Sequence, residues 1–459
     1  MGDLELGELR AIDHVFYRNL KKVYPVVEGG EGIYLYDREG NRYLDFGAGI
    51  AVVNIGYDVA EVMEAMTEQA SKASFIYSAP FTSEPLIRLS KKIIDLAPEG
   101  MSKVLFVSGG SEGVESAIKL ARQYHLECGR ESKYRVIARW TSYHGNTLGA
   151  LSASGRTLWR DYFVPYLQNF PHICPPYCYR CPFGKEYPNC GVACAYELER
   201  VIKYEGAKYI SAFIAEPVIG TSATGVTPPP EYYPIIREIC DKYEVLFICD
   251  EVITGFGRTG AKFGIDHWRV RPDIIVTGKG LGGGYTPLAA VIVSEGIYDT
   301  FVKGTSSHTQ GYTYAGNPLS AAIGLAVLEY VEKHGIIERV ARLEGYLRHK
   351  LEGLTDLGIV GDVRGKGFLF GVEFVQNREE KDPFPKDYEL TRRIVDAALE
   401  RRLMVIGGMG GMVDGILGDH LQITPSLIIT EEEIDWAVHT LDDSIRQVMK
   451  DLGIGISRK

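Results

Sequence analysis

The sequence lacks the features that would place the protein in a membrane or on a nucleic acid. No window approaches the roughly 18 consecutive apolar residues that a membrane-spanning helix needs. Lys and Arg number 50 against 60 Asp and Glu, and a net charge of −10 argues against a surface that coats phosphate backbones. The first stretch, MGDLELGELR, has no apolar signal core. We therefore expect a cytoplasmic protein whose partners are small molecules.

Side-chain amides are also scarce. Only seven Gln and eight Asn accompany 28 Tyr in the 459 residues. A chain poor in thermolabile amides is typical of a thermophile, and we predict such a source. With 45% apolar and 24% charged residues, the composition is otherwise that of a globular protein with room for two or three domains.

Short apolar runs alternate with helical patterns from about residue 100 onward. This alternation predicts an α/β domain whose sheet is mainly parallel and covered by helices. The runs are KVLFVSGG (103–110), YRVIARW (134–140), ISAFIAEP (210–217), VLFICDE (245–251), DIIVTGK (273–279) and PLAAVIVS (287–294).

The two ends of the chain show another pattern. Near the N-terminus, GIYLYDREGNRYLDF predicts a hairpin, and GIVGDVRGKGFLFGVEFV after residue 335 predicts antiparallel strands around a glycine turn. We therefore predict a large α/β domain over residues 71–334 and a smaller α+β domain built from residues 1–70 and 335–459.

Polar residues follow several of the apolar runs, at strand ends where doubly wound sheets bind ligands. In VSGGSEGVESAIKLAR, Gly110 and Ser111 begin a helix whose free N–H groups suit a phosphate, although a serine N-cap without a ligand explains the same pattern. RWTSYHGNT places Tyr143 and His144 in the same crevice, and LFICDE delivers Asp250 there. A buried carboxylate of this kind needs a cationic partner or several donors.

Lys279 follows a β-branched run in IIVTGKGLGGG. Either its ammonium reaches solvent from a turn, or its amine is held dry with a lowered pKa and can attack a carbonyl. The surrounding glycines leave room for a flat cofactor. A phosphate cradle, the Tyr143 ring, the Asp250 carboxylate and a buried amine together match the needs of pyridoxal phosphate. Its aldehyde would take Lys279 and its ring nitrogen would take Asp250.

These motifs resemble those of the class III (ω-amino acid type) pyridoxal-phosphate aminotransferases. The resemblance runs from about residue 30 to 445 and implies the α/β fold of aspartate aminotransferase, known as fold type I, with a large domain and a smaller α+β domain. The motifs that carry it are SGGSEGVESAIKLAR, SYHGNT, AEPVIG, DEVITGFGRTG, PDIIVTGKGLGGGYTPLAAVIVS, YTYAGNPLSAA and PSLIITEEEID.

The resemblance also implies roles for individual residues. Lys279 would be the Schiff-base lysine and Asp250 the partner of the ring nitrogen. Val252 would pack on the cofactor face opposite the tyrosine, and Glu216 would be an active-site glutamate. Thr313 would reach the phosphate bound in the neighbouring subunit, so that a homodimer or a dimer of dimers with shared active sites is implied.

The implied reaction moves an amino group from an ω-amine or amino acid to a keto acid such as pyruvate or 2-oxoglutarate. The freed Lys279 would move a proton between the donor carbon and the cofactor carbon in a ping-pong cycle. An amino acid racemase or epimerase on the same fold is the alternative, because the proton can also return to its original carbon. The sequence leaves the partition between the two open.

One position departs from the family pattern. Members that handle α-carboxylates usually carry an Arg three residues before the Pro of the late motif, where it grips the carboxylate as a fork. In HLQITPSL this position is Gln422, which brings no charge. We therefore predict a preference for amines without a nearby carboxylate, such as diamines or hydrophobic ω-amines, unless another Arg substitutes.

A cysteine-rich insert spans residues 174–194. It holds five of the eight cysteines, at positions 174, 178, 181, 190 and 194. The C-x2-C spacing of Cys178 and Cys181, with Cys190 and Cys194 as a second half-site, is compatible with zinc. Disulfides in a thermophilic cytosol explain the same density. We predict that disulfides staple this loop, and we assign no metal ligand; a zinc-knuckle-like binding protein is the rival function from another class.

Overall fold

The protein is described from a computed structural model, which covers residues 6–455. The first five residues, which belong to the stretch used to predict a cytoplasmic location, and residues 456–459 lie outside the described range. Among the helices of residues 6–455, none combines the length and the apolar composition that crossing a membrane requires.

The strands are β1 (Val27–Glu31), β2 (Tyr34–Asp37), β3 (Arg42–Asp45), β4 (Met101–Val107), β5 (Arg135–Arg139), β6 (His172–Ile173), β7 (Ile210–Ala215), β8 (Leu246–Asp250), β9 (Ile274–Thr277), β10 (Ala289–Ser294), β11 (Val360–Lys366), β12 (Leu369–Phe374), β13 (Leu403–Met404), β14 (Ile406–Gly407) and β15 (Asp419–Ile423).

The helical segments are α1 (Leu6–Ala11), α2 (Ala48–Ala51), α3 (Ala60–Lys72), α4 (Glu84–Leu96), α5 (Gly110–Glu127), α6 (Leu148–Ala153), α7 (Thr157–Arg160), α8 (Ala193–Glu205), α9 (Tyr232–Tyr243), α10 (Glu295–Lys303), α11 (Pro318–Lys333), α12 (Ile336–Glu352), α13 (Leu390–Glu400) and α14 (Glu431–Asp451).

A seven-stranded sheet forms the centre of the molecule, in the order β4-β10-β9-β8-β7-β5-β6. Five of the six predicted apolar runs contain one of its strands and the run 103–110 overlaps β4, whereas the short edge strand β6 was not predicted. Strands β6, β5, β7, β8 and β9 run parallel, whereas β10 is antiparallel to both β4 and β9. Residues 278–288 connect β9 to β10 and are too few for a crossover helix, so the two strands pair antiparallel. The mainly parallel sheet of the predicted fold class is confirmed.

The central strands are buried on both faces. All five residues of β8 are buried, with Phe247 and Cys249 in one apolar core and Ile248 in the other. Helix α5 covers the second face with Val114, Ala117 and residues one turn further on, at helical spacing. Because successive side chains of a strand alternate between faces, this packing fixes where the residues that follow β8 point.

The two chain ends form two further sheets, β1-β2-β3-β13 and β11-β12-β15-β14. The predicted hairpin is the antiparallel pair β2–β3, and β11–β12 pair antiparallel around the predicted glycine turn. Leu44 and Phe46 share an apolar core with Leu347 and Ile434, so the N-terminal and C-terminal segments pack together.

Helix α11 joins this core to the core of the central sheet. Its Ile323 and Val327 lie in the former, whereas Ala321 and Leu325 lie in the latter. The domain boundaries at residues 70/71 and 334/335 stay a prediction.

Candidate active site

A cavity of about 190 Å³ opens beside the carboxyl ends of β7, β8 and β9. It brings together eight of the residues that the sequence predicted for the site, which come from five separate stretches of the chain. They are Gly110, Ser111, Tyr143, His144, Glu216, Asp250, Val252 and Lys279, and Gly145, Val218, Ile253 and Thr254 complete the lining.

Lys279 lies at the end of β9 in a left-handed conformation, with φ of 43°. Its Nζ donates a hydrogen bond of 2.9 Å to the backbone oxygen of Ile50. Burial lowers the pKa of the Lys279 amine to about 8, although Asp250 acts in the opposite direction. A lysine with this pKa is partly a free amine at neutral pH, as a nucleophilic role requires. By its exposed surface Lys279 is half-buried, and its role as the reacting amine stays a prediction.

The acceptor of this hydrogen bond belongs to the left-handed turn α2. Ala48, Gly49, Ile50 and Ala51 have φ values of 44°, 57°, 77° and 58°. Such a conformation costs a non-glycine residue about 1–2 kcal/mol. The carboxylate of Asp45 compensates by accepting from the N–H groups of Gly47 and Gly49 at 3.1 and 2.7 Å. Strain of this kind concentrates at functional sites. No local pattern in the sequence predicts this turn.

Asp250 ends β8 and is 4% exposed. Its Oδ2 lies 2.7 Å from Nδ1 of His144, and its Oδ1 accepts from the N–H of Val252 at 3.1 Å. A carboxylate can only accept, so the imidazole nitrogen is the donor. The pair fixes the orientation of the Asp250 carboxylate inside the cavity. Sequence reasoning placed both residues in the crevice but missed this bond.

Glu216 ties two loops of the cavity together. Its Oε1 accepts from the N–H of Tyr143 at 3.1 Å and its Oε2 from the N–H of Gly220 at 2.7 Å. Burial raises the pKa of Glu216, while the nearby His144 lowers it. A Cβ atom added to Gly220 would lie 2.4 Å from Cδ1 of Ile253, so this turn leaves no room for a side chain.

Helix α5 begins at Gly110 and directs its N-terminus at the cavity. Gly109 holds the N-cap position and no side chain caps the helix, so the alternative of a simple serine N-cap is wrong. Ser111 Oγ instead accepts from the N–H of Asn146 at 3.1 Å. A Cβ atom on Gly145 would lie 2.6 Å from that hydroxyl. A helix N-terminus beside a hydroxyl and a tight glycine loop suits a phosphate.

Tyr143 and Val252 both line the cavity and supply its apolar walls. The Tyr143 ring packs edge-on against Trp159, with centroids 4.6 Å apart and an interplanar angle of 87°. Val252 lies against Gly110, where an added Cβ atom would be 3.0 Å from Cγ1 of Val252. Trp159 was not predicted, because nothing in its local sequence indicates the contact.

The predicted Thr313, and Glu251 beside the predicted Asp250, both lie outside the cavity lining. Thr313 is exposed and does not line the cavity of its own chain, so its role toward a neighbouring subunit stays a prediction. Glu251 is buried, and its oxygens accept from the N–H groups of Gly264 and Ile265, each at 2.8 Å. Burial raises the pKa of Glu251 to about 7. This carboxylate supports the 264–268 turn and is not part of the cavity.

The cysteine-rich insert contains no disulfide. All five of its cysteines are free thiols, so the predicted disulfide staple is wrong for this structure. Within residues 6–455, no group of three or more His, Cys, Asp or Glu side chains is placed to hold a metal ion. Polar contacts anchor the insert instead. Arg180 Nε donates to Oε1 of Glu373 at 2.6 Å, and Tyr177 bonds to the same carboxylate.

Residues 15–445 match the model of the family described as Aminotransferase class-III. The chain belongs to this family. Class III aminotransferases depend on pyridoxal phosphate, so the predicted enzyme class and cofactor are confirmed. The cavity fits that cofactor: a helix N-terminus faces it, glycines leave space where a Cβ atom would collide, and the Lys279 amine and the buried Asp250 carboxylate both line it.

The relatives of this class III aminotransferase cover nearly the whole chain. It is 41% identical over 434 residues to an uncharacterized aminotransferase, YodT, of Bacillus subtilis. This alignment covers 94% of this chain and 97% of that protein. It is 36% identical to the diaminobutyrate–2-oxoglutarate transaminase of Halomonas elongata, over 92% and 90% of the two chains. A thermostable (S)-enantioselective ω-transaminase of Thermomicrobium roseum superposes with a TM-score of 0.90 at 34% identity, over 98% and 100%. The predicted fold type is therefore confirmed.

Proposed function

We propose that this aminotransferase moves an amino group from an ω-amine or amino acid to a keto acid such as pyruvate or 2-oxoglutarate, in a ping-pong cycle. The observation that carries the proposal is the Lys279 amine, held in one cavity with the Asp250–His144 pair. The names of the Halomonas elongata and Thermomicrobium roseum relatives support donors and acceptors of these classes.

Bound pyridoxal phosphate supplies an aldehyde for the amine and a conjugated ring that withdraws electrons from the donor carbon. Lys279 is the base that moves the proton at that carbon, because its amine has a pKa of about 8. Asp250 holds the ring nitrogen, and His144 keeps the carboxylate in place.

The remaining residues of the cavity bind and orient the cofactor. Gly110 and Ser111 hold the phosphate at the N-terminus of α5, and Tyr143 and Val252 flank the ring. Glu216 fixes the loop that carries Tyr143 through the hydrogen bond to its N–H. These assignments rest on the positions of the side chains around one cavity.

A homodimer or dimer of dimers completes the proposed enzyme. Thr313 and Tyr314 are exposed in the single chain, and the Tyr314 ring contacts the exposed ring of Phe75 at 5.6 Å. Exposed aromatic side chains in contact with one another are typical of a surface that a partner covers. We therefore infer that a second copy covers this surface and that Thr313 reaches the phosphate site of that copy.

The decisive experiment adds single candidate donors to the purified holoenzyme and follows its visible cofactor absorption. The donors are diamines, 4-aminobutyrate, ornithine and L- and D-amino acids. Loss of the band with a donor, and recovery on adding pyruvate or 2-oxoglutarate, is the expected result. If an amino acid instead loses its optical activity while no keto acid is consumed, the enzyme is a racemase and the proposal fails.

A further inference from the structure

Arg156 is a buried cation that forms no close ion pair among the described residues. Burial lowers its pKa, although the carboxylate of Glu216 in the cavity raises it from a longer distance. Its side chain is 4% exposed, and its Nε and Nη1 atoms have no hydrogen-bond partner in residues 6–455. No carboxylate of that range forms an ion pair with it. Buried charges are normally paired, and buried donors are normally satisfied. An unpaired guanidinium of this kind therefore points to an anion that binds from outside the chain.

The position of Arg156 connects it to the active site through aromatic rings. Its guanidinium carbon lies 4.4 Å from the ring centroid of Trp159, and Trp159 packs against Tyr143, which lines the cavity. The preceding Gly155 is held close to the cavity loop, since its N–H donates to Ser142 at 3.1 Å. A Cβ atom there would lie 2.2 Å from the oxygen of Arg139. The stacked ring holds the guanidinium in a fixed orientation.

A second group of polar atoms with few partners lies on β15. His420 and Gln422 are two residues apart on the strand and therefore share a face. Oε1 of Gln422 lacks a partner among the described residues, where the ring of His420 has only the backbone of Thr221 as a polar partner. Gly371 pairs with Gln422 in register, and a Cβ atom on Gly371 would lie 2.0 Å from the oxygen of Thr224. This face therefore packs against the 221–224 loop.

The two groups belong to one region. Trp159, over whose ring Arg156 lies, donates from Nε1 to Sδ of Met409 at 2.6 Å, in the segment between β14 and β15. Besides burial, the charge of Arg156 also helps to lower the pKa of His420. The hydroxyls of Ser222 and Thr224 in the covering loop also lack partners. Buried donors without partners, from Arg156 and from the covering loop, thus lie in the same region as Gln422, the position where the family usually carries its arginine.

We propose that Arg156 binds the carboxylate of keto acid and α-amino acid substrates, in place of the arginine that Gln422 replaces. This inference rests on the proposed function, because a keto acid acceptor always brings a carboxylate that needs a cation. The planar guanidinium grips both carboxylate oxygens as a fork. An amine without a carboxylate leaves Arg156 unengaged, so donors of both kinds are accepted. The preference for carboxylate-free donors predicted from Gln422 is thereby replaced by tolerance of both.

The test compares the two half-reactions of Arg156→Met holoenzyme. The aminated enzyme is mixed with pyruvate, and the resting enzyme is mixed with a diamine. We expect the half-saturating pyruvate concentration to rise about 100-fold, the order expected when one partner of a buried charge pair is removed. The half-saturating diamine concentration should rise by a factor at least about tenfold smaller, because a diamine carries no carboxylate. An unchanged pyruvate dependence overturns the inference and leaves the proposed function intact.

Arg160→Met is the matched control. It removes the same charge four residues away, but the Arg160 guanidinium is already bonded to the oxygen of Ser154 at 2.6 Å. Its pyruvate dependence should stay close to that of the wild type, and an equal loss in both variants overturns the inference. If Arg156→Met does not retain the cofactor, Arg156→Lys carries the test. Keeping the charge without the fork should raise the half-saturating pyruvate concentration about tenfold, and an unchanged value overturns the inference. A wild-type enzyme that reacts with no keto acid overturns the proposed function itself.

Discussion

The Nζ atom of Lys279 donates to the backbone oxygen of Ile50, 2.9 Å away and 229 residues earlier in the chain. Ile50 belongs to the left-handed turn α2. This turn lies in the N-terminal segment of the chain, which packs with the C-terminal part. A backbone carbonyl from outside the large sheet therefore holds the Lys279 amine in place. When the amine reacts, this bond must break, and the turn loses its contact with the lysine.

Lys279→Ala is expected to lower turnover by at least about 10³-fold, since it removes both the nucleophile and the proton carrier. The measurement is kcat with the donor and acceptor found for the wild type, together with the absorption band of the Schiff base, which should disappear. Lys262→Ala changes an exposed lysine of a nearby loop and serves as the control. Full turnover in Lys279→Ala would refute the assignment.

The pH dependence of cofactor uptake follows from the same lysine. Burial lowers its pKa from 10.5 to about 8, so the fraction of neutral amine grows as the pH rises through that value. The rate at which the apoenzyme takes up pyridoxal phosphate should rise with pH, with a midpoint near 8. Stopped-flow absorbance between pH 6 and 10 measures it. A midpoint near 10.5 would mean that the amine is fully hydrated.

Asp250→Ala is expected to reduce turnover by about 10²-fold or more, and His144→Phe by about tenfold, because His144 acts by holding Asp250. The double variant should be no worse than Asp250→Ala alone, since the two side chains work as a unit. A double-mutant cycle of kcat/KM values checks this. Additive losses would show that His144 contributes independently of Asp250.

Gly145→Ala should weaken cofactor binding about tenfold or more, because the added methyl group collides with Ser111 and the backbone φ of 137° strains any side chain. Titration of the apoenzyme with pyridoxal phosphate gives the Kd. Gly109→Ala is the control, since a Cβ atom there meets nothing within 4 Å and φ is −159°. Equal affinities in the two variants would contradict a tight phosphate loop.

Mixed dimers test the proposed role of Thr313. Chains with Lys279→Ala and chains with Thr313→Ala are coexpressed with different tags, and the heterodimer is isolated. If Thr313 serves the neighbouring site, one site carries both substitutions and the other carries neither, so half of the wild-type activity is expected. If it serves its own chain, the activity falls to half that of the Thr313→Ala homodimer, which we expect to be about tenfold reduced at limiting cofactor.

The sequence predicted the residues at the strand ends because their positions follow local rules. Apolar runs such as LFICD identify a buried strand, and the strand end places Asp250 at the sheet edge. The contact of Asp250 with His144 joins residues 106 positions apart, and no local pattern encodes it. The antiparallel direction of β10 follows from the short connection 278–288 to β9, and the apolar run of β10 itself does not encode it.

Arg156 shows that burial and missing partners also cannot be predicted from local sequence. In the sequence it is one arginine among many in SGRTLWR, with no motif around it. Its burial, its lack of partners and its stack on Trp159 arise only when α6, α7 and the 141–144 loop are packed together. The left-handed turn at Ala48–Ala51 has the same origin, because Asp45 and tertiary packing overrule the usual preference of Ala and Ile.

Helix α11 buries one face in each of two apolar cores. Melting either core removes half of the packing that keeps this helix folded, and the loss spreads to the other core. The two cores should therefore unfold together, with no half-melted species that still retains the cofactor. The helix thereby couples the thermal survival of the catalytic sheet to that of the strands formed by the two chain ends.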